Sequence, residues 1–263
     1  MVVTTVVTNP VEQRATQGSP APISLPGGRV TVLLVHGFTG SPAEMVLLAK
    51  ALNRAGFSVE VPLLLGHGTQ LEDLMPIRPD QWVSQLEAVI LREQARGQEI
   101  VVGGLSLGSV LALNAALRCP QIKALMLFSP PIGSRDWRRF AAPLLKLLLR
   151  SVSKPPSNYV DPDTSSRLWS YDRYPVVCSS LVLQFIARVR RDLPRISQPL
   201  LVIASSRDNV VTARGVRLLV KRVASSRCDL LWLHNSSHAL TADQEWPEVC
   251  ERSVAFLRSL RLG

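Results

Sequence analysis

Short apolar runs alternate along the chain with longer segments that have helical periodicity. In Val30–Val35 every residue is apolar or β-branched, and polar and apolar positions do not alternate, which is typical of a strand covered on both faces. Similar runs predict further strands at 23–25, 57–61, 99–102, 124–128, 199–204 and 229–233. Helices are predicted at 42–54, 79–96, 109–118, 212–224 and 244–260. Strands that alternate with helices favour the α/β class, with a mostly parallel sheet and helices on both faces.

The stretch between Phe128 and Pro199 breaks this alternation, because about seventy residues contain no strong strand signal. A structureless loop of that length is uncommon inside a domain. We therefore expect short helices that form a cap over the carboxyl ends of the strands, at 140–150, 168–174 and 175–191.

The predicted organisation has three parts: an N-terminal arm at 1–20, an α/β core at 21–130 and 196–263, and a small helical cap, or lid, at 131–195. A leucine-rich stripe at 144–149 either packs on the core or forms a wall or surface that receives an acyl chain or lipid. The apolar runs at 140–149 and 181–186 suggest an acyl pocket.

Composition excludes several classes of protein. A hydrophobic fraction of 46% in 263 residues, with a mean hydropathy of +0.17, excludes an intrinsically disordered chain. No apolar stretch approaches the roughly 18 residues of a membrane span, so stable membrane insertion is not expected. The first ten residues contain no Lys or Arg and no long apolar core, so they do not resemble a secretory signal. A cytoplasmic location is therefore expected.

The net charge of +10 and pI of about 10.2 would also suit a nucleic-acid-binding protein. However, 25 of the 30 basic residues are Arg, they are spread along the chain, and no run alternates basic with aromatic residues. We expect no nucleic-acid partner. The four cysteines form no CxxC pair, so no metal site is predicted.

The segment Gly104-Leu105-Ser106-Leu107-Gly108 lies between a predicted strand and a predicted helix. In that context G-x-S-x-G is typical of a nucleophile turn, in which the backbone is strained and the serine oxygen projects above the sheet. Side chains two positions on either side would collide, which accounts for both glycines. The pattern predicts that Ser106 is a catalytic nucleophile.

A serine nucleophile needs donors for the developing oxyanion, a base and an acid. The backbone N–H groups of Phe38, in the loop after the first strong strand, and of Leu107, next to the nucleophile, are the candidate donors. His36 is expected to fix its own turn through hydrogen bonds to loop carbonyls, and His67 to brace the loop between Gly66 and Gly68.

His238 is the candidate base, because it lies in a polar loop between the last strand and the last helix, at the same edge of the sheet as the nucleophile. His234 is still at the strand end and is expected to pack or cap. Asp208, just past the penultimate strand, is the candidate acid that orients the imidazole. Asp136 is a competitor for that role, and Asp208 could instead cap the helix that follows it.

With these residues in place, the chain resembles the α/β-hydrolase family, and within it the small bacterial carboxylesterases related to monoacylglycerol lipases. The resemblance covers nearly the whole chain after the arm. It rests on HGFTG at 36–40, GHG at 66–68, PDQW at 79–82, GLSLG at 104–108, RD at 207–208 and SSHALTAD at 236–243.

This resemblance implies that Ser106 is the nucleophile, Asp208 the acid and His238 the base, that Phe38 and Leu107 form the oxyanion hole, and that the insertion after Phe128 is the lid. Relatives commonly have Gly before the base, whereas this chain has Ser237. A serine nucleophile also argues against dehalogenase or epoxide hydrolase activity, because relatives with those activities use aspartate there.

The leading hypothesis is hydrolysis of short- to medium-chain carboxylic esters, monoacylglycerols among them, through an acyl-enzyme and without a metal or organic cofactor. The partner is then a small-molecule ester, and the protein is expected to be a monomer or a weak homodimer. Two alternatives remain open: an acyltransferase or thioesterase with the same triad, and a non-enzymatic ligand receptor built on the same fold.

Overall fold

The computed structural model describes residues 18–133 and 149–262. The strands of these ranges are β1 Ile23–Leu25, β2 Val30–Val35, β3 Ser58–Val61, β4 Glu99–Leu105, β5 Ala124–Phe128, β6 Ser151–Ser153, β7 Arg173–Pro175, β8 Leu200–Ser205 and β9 Cys228–Leu233. The α-helices are α1 Val46–Arg54, α2 Leu71–Leu74, α3 Pro79–Ala95, α4 Leu107–Arg118, α5 Thr164–Arg167, α6 Val176–Asp192, α7 Ala213–Arg222 and α8 Trp246–Ser259. Short 3-10 helices occupy Pro42–Met45 and Leu193–Arg195.

Seven strands form one sheet in the order β1-β3-β2-β4-β5-β8-β9. All neighbours in this sheet are parallel except β1 and β3, which are antiparallel. The predicted parallel sheet is therefore confirmed. Because parallel strands end at the same edge, the loops after β2, β4, β8 and β9 all leave the sheet on one side.

Two apolar cores cover the two faces of this sheet. On β2, Leu33 and Val35 pack in one core with α3, α4, α6 and α7, whereas Val32 and Leu34 pack in the other with α1 and α8. Every residue of β2 is buried. This double burial is the physical reason why the sequence of β2 has no polar alternation.

Strand β4 continues to Leu105 and does not stop at residue 102 as predicted, because glycine, which usually weakens a strand, is here held inside the sheet. In the structure Gly103 and Gly104 pair in register with β2 and β5. A Cβ on Gly104 would overlap the backbone of Gly108. The glycine therefore allows the following helix to approach the strand closely.

The inserted segment differs in part from the expected short helices. Residues 134–148 lie outside the described part, and with them Asp136 and most of the leucine stripe. The helix predicted at 168–174 is wrong, because Arg173–Pro175 forms an antiparallel pair with β6. The predicted helix at 175–191 is confirmed as α6, which packs against α3 and α4.

Val182 and Phe185 of α6 are buried in the core below it, so these two side chains of the 181–186 run are core residues. The arm at residues 1–17 lies outside the described residues. No helix among those described is long and apolar enough to cross a membrane.

Candidate active site

Ser106 occupies a sharp turn between β4 and α4. Its backbone angles are φ 53° and ψ −115°, a conformation that residues with a side chain rarely adopt. The turn is fixed on both sides: the Ser106 amide donates to Phe128 O at 2.9 Å, and Ser109 Oγ donates to Ser106 O at 2.6 Å. Ser106 is the single residue between Ile100 and Leu113 that is not buried. Within this stretch of the chain, Ser106 is therefore the residue that is partly open to solvent.

A Cβ added at either glycine of the motif would contact backbone atoms and not side chains. A Cβ on Gly108 would overlap the carbonyl of Val35, at the end of β2. Gly104 and Gly108 face each other across the turn, and a Cβ on Gly104 would lie 2.3 Å from the carbonyl carbon of Gly108. The collision inferred from the sequence is therefore the reason for both glycines.

The structure brings His238 and Asp208 together. The imidazole Nδ1 lies 2.8 Å from Asp208 Oδ2. The other oxygen, Oδ1, accepts the amides of Val210 and Val211 at 2.7 and 2.8 Å. The Asp208 side chain is only 2% exposed, whereas that of His238 is 23% exposed. The imidazole of His238 is thus partly open to solvent, and the Asp208 carboxylate is enclosed behind it.

Two opposing effects act on the ionisation of Asp208. Burial alone would raise its pKa, but the charge of His238, the hydrogen bond to His238 and the two backbone amides outweigh burial, so that the pKa is lowered. Asp208 therefore remains a carboxylate near neutral pH. A carboxylate at this position holds the proton of the imidazole on Nδ1 and leaves Nε2 as the acceptor.

The loop after β2 contains the predicted oxyanion donor Phe38. Neither the Phe38 amide nor the Leu107 amide donates to an acceptor within the described residues. Leu107 is the first residue of α4, where the helix leaves its N–H groups unpaired and adds the positive end of its dipole. Both amides are therefore available to a negatively charged oxygen.

Two buried histidines hold this loop: His36 was predicted to do so, whereas His67 was predicted to brace only its own loop at 66–68. His36 Nε2 accepts the amide of Leu64 at 3.1 Å, and its Nδ1 donates to Gly37 O at 2.9 Å. His67 Nε2 accepts the amide of Thr39 at 3.1 Å. Because each Nε2 accepts an amide hydrogen, both rings must be neutral.

Burial is the main reason why both rings stay neutral. It lowers the pKa of His67 to about 4 and that of His36 well below its ordinary value, and repulsion by His67 lowers the pKa of His36 further. The two imidazoles lie edge to face, with ring centres 4.9 Å apart. These histidines serve the shape of the loop, not proton transfer.

Two carboxylates that the sequence reasoning did not single out hold the loop around His238. Asp243 accepts the amide of Ser237 at 2.6 Å, and it also accepts the amide of Asp161 from the inserted segment at 2.8 Å. Glu245 accepts the amides of His234 and Asn235. Burial opposes ionisation of Asp243, but hydrogen bonds from Ser237 and neighbouring amides lower its pKa. The sequence feature that could have indicated these two residues is the presence of two acidic side chains just before the last helix.

The side chain of the remaining histidine, His234, does not contact His238 or Asp208. His234 is exposed, and its Nδ1 lies 3.2 Å from Ser206 Oγ. Among residues 18–133 and 149–262, no group of three or more His, Cys, Asp or Glu side chains is arranged to hold a metal ion.

Comparison with known families identifies the chain. The family model described as "Serine aminopeptidase, S33" matches residues 28–245, well over half of the sequence. The chain belongs to this family.

Several relatives span almost the whole chain. A thermostable monoacylglycerol lipase of Bacillus sp. (strain H-257) is 32% identical over 250 residues, which are 93% of this chain and 97% of the relative. A carboxylesterase of Bacillus subtilis (strain 168) is 25% identical over 249 residues, which are 92% of this chain and 98% of the relative.

Solved structures agree with these relatives. A chain described under "LipS and LipT, two metagenome-derived lipolytic enzymes" superposes with a TM-score of 0.87 at 29% identity and covers 92% of this chain and 99% of its own. A Paleococcus ferrophilus monoacylglycerol lipase, at 22% identity and a TM-score of 0.78 over 91% of this chain and 98% of its own, shows the same fold. The fold is that of the α/β-hydrolases, as predicted, and the protein is a carboxylic ester hydrolase of the serine esterase and lipase type.

Proposed function

We propose that this hydrolase cleaves short- to medium-chain carboxylic esters, monoacylglycerols among them, through an acyl-enzyme on Ser106. The observation that supports this most strongly is the 2.8 Å contact between His238 Nδ1 and the buried, ionised Asp208, at the sheet edge where Ser106 occupies its strained turn. The names of the relatives support the class of substrate.

In the first half of the reaction, Ser106 Oγ attacks the ester carbonyl while His238 Nε2 takes the hydroxyl proton. The amides of Phe38 and Leu107 hold the carbonyl oxygen as it becomes negative. His238 then gives the proton to the departing alcohol, and the acyl group remains bound to Ser106.

In the second half, water attacks the acyl-enzyme and His238 again takes and returns one proton, which releases the acid and restores Ser106. Asp208 stays ionised throughout and stabilises the imidazolium that forms twice in each cycle. No step of this cycle requires a metal or an organic cofactor.

The assignment of Ser106 is tested by Ser106→Ala, with Ser84→Ala as the matched control, since Ser84 is exposed on α3. We expect Ser106→Ala to lose hydrolysis of p-nitrophenyl butyrate by more than roughly 10³-fold while its thermal unfolding is unchanged. Ser84→Ala should behave as the parent protein. Full activity in Ser106→Ala would refute the assignment.

The substrate range is tested separately, with p-nitrophenyl esters of acyl chains from acetate to palmitate and with monoacylglycerols. We expect kcat/KM to be highest for short or medium chains, and a maximum at palmitate would contradict this. Adding an alcohol acceptor distinguishes transfer from hydrolysis, because a transferase would form mostly the new ester. A cytoplasmic location and a monomer or weak homodimer remain predictions from the sequence.

A further inference from the structure

Glu44 is a carboxyl group beside the active site that the mechanism above does not use. It lies in the 3-10 helix Pro42–Met45, directly after the oxyanion loop. Its Oε2 accepts the amide of Gly37 at 2.6 Å. A Cβ on Gly37 would lie 3.1 Å from this oxygen and 3.6 Å from Ser106 Cβ. Gly37 is therefore enclosed between the Glu44 carboxylate and the nucleophile.

The main chain of Glu44 makes a second connection, to the loop that contains the base. Thr241, three residues after His238, donates its hydroxyl to Glu44 O at 2.8 Å. One residue thus contacts both the loop that presents Phe38 and the loop that presents His238.

The charges around Glu44 come from several elements. Burial raises its pKa, and the Gly37 amide, the Lys154 ammonium and His238 oppose this increase. Lys154 follows β6 in the inserted segment. Burial lowers the pKa of Lys154 to about 8, against the attraction of Glu44 and Asp172. The half-buried phenol of Tyr159 also lies within the field of Glu44.

Lys154 is held over the oxyanion loop by aromatic contacts. Its Nζ lies 5.2 Å from the centre of the Tyr174 ring, and Tyr174 stacks on Phe38 with a centre-to-centre distance of 6.1 Å and an interplanar angle of 6°. The inserted segment therefore places a cation close to the loop after β2, to which the Glu44 carboxylate is also bonded.

We propose that Glu44 is a positioning residue for ester hydrolysis: it fixes the Gly37 amide, and so the direction of the Phe38 N–H, and its negative charge favours the imidazolium that forms at His238. Lys154 balances that charge. Glu44 takes no proton in the cycle, because the proton of Ser106 moves only to His238 and on to the leaving group. The proposal rests on the function proposed above.

The test is Glu44→Gln, which keeps the size of the side chain and removes its charge. We expect kcat on p-nitrophenyl butyrate to fall roughly 10- to 100-fold, the effect of weakening one hydrogen bond to a charged group, while KM changes by less than about twofold. The acid limb of the kcat/KM profile should move to lower pH, because the imidazole takes up a proton less readily. Glu251→Gln, on the exposed face of α8, is the matched control.

Lys154→Met is the complementary variant, because it changes the charge opposite Glu44 without touching the Gly37 hydrogen bond. Removing the cation makes both His238 and Glu44 easier to protonate, so the acid limb should move to higher pH, by roughly half a unit. We therefore expect the acid limb to shift in opposite directions in Glu44→Gln and Lys154→Met.

Unchanged kcat and pH profile in a folded Glu44→Gln variant would overturn the proposal, as would a lower unfolding midpoint with full kcat. If Glu44→Gln does not fold, the Lys154→Met variant tests the proposal instead. An acid limb of its kcat/KM profile at the same pH as in the parent protein would then overturn the proposal. Ser106→Ala is assayed alongside. If it is active, the proposed function fails, whereas an inactive Ser106→Ala with a parent-like Glu44→Gln refutes only the role of Glu44.

Discussion

At the scale of single residues, the role proposed for Asp208 depends on which nitrogen of His238 carries the proton. Both of its oxygens are occupied: Oδ2 by the Nδ1 hydrogen of His238, and Oδ1 by the amides of Val210 and Val211. An amide in its place would present N–H to Nδ1 and force the imidazole proton onto Nε2. His238, the proposed base, would then have no free lone pair for the Ser106 hydroxyl.

Asp208→Asn should therefore lower kcat by roughly 10⁴-fold with little change in KM, as in other serine hydrolases with this substitution. Asp80→Asn is the control, since Asp80 is exposed and forms an ion pair with the exposed Arg188. Steady-state kinetics on p-nitrophenyl butyrate measures the effect. A variant with more than a tenth of the parent activity would show that Asp208 is not the acid.

Ser106, His238 and Asp208 could be singled out from the sequence, because each follows a predicted strand and their chain order is informative. Glu44 could not, and for Asp243 and Glu245 the sequence shows only that two acidic residues precede the last helix. Their hydrogen bonds join loops that come together only when the sheet has formed, and no periodicity in the sequence describes such a contact.

At the scale of elements, the loop after β2 depends on two neutral rings. His36 and His67 each accept a backbone amide at Nε2, and protonation would turn that acceptor into a donor. In the unfolded chain both histidines titrate near the ordinary value of about 6.5. The folded protein resists protonation of His67 down to about pH 4.

As pH falls below about 6.5, the unfolded state therefore binds protons that the folded state does not, and the free energy of unfolding decreases. For His67 alone the decrease approaches about 3 kcal/mol by pH 4. Urea unfolding of the parent and His67→Gln at several pH values measures it. The variant should be less stable at pH 7 but lose less stability on acidification.

His234→Gln is the matched control, because His234 is exposed, and it should keep the pH dependence of the parent. Identical pH dependence in the parent and His67→Gln would contradict the role given to the buried ring.

At the scale of the whole molecule, the sheet separates two cores, and neighbouring residues of β2 belong to different ones. Leu33 is 1% exposed and packs on the side of α3 and α4, whereas Leu34 is fully buried on the side of α1 and α8. The sequence predicted this double covering from the absence of alternation. It could not predict the β6–β7 pair, because β6 contains a single apolar residue and β7 ends in proline, so neither has the apolar run or alternation that indicates a strand.

Leu33→Ala and Leu34→Ala should each lower the free energy of unfolding by about 2–5 kcal/mol, because each removes buried volume from one of the cores. Leu91→Ala, at a position 62% exposed on α3, should change it by less than about 0.5 kcal/mol. Chemical denaturation measures all three. A near-neutral effect of either β2 variant would mean that one face of the sheet is not a packed core.

The most direct measurement of the central claim is the site of covalent modification. The protein is treated with a fluorophosphonate, digested and mapped by mass spectrometry, together with His238→Ala. The account predicts one phosphonylated residue, Ser106, in step with loss of ester hydrolysis, and much slower labelling of His238→Ala. An adduct on another residue, or full hydrolysis by a protein whose Ser106 is completely modified, would contradict it.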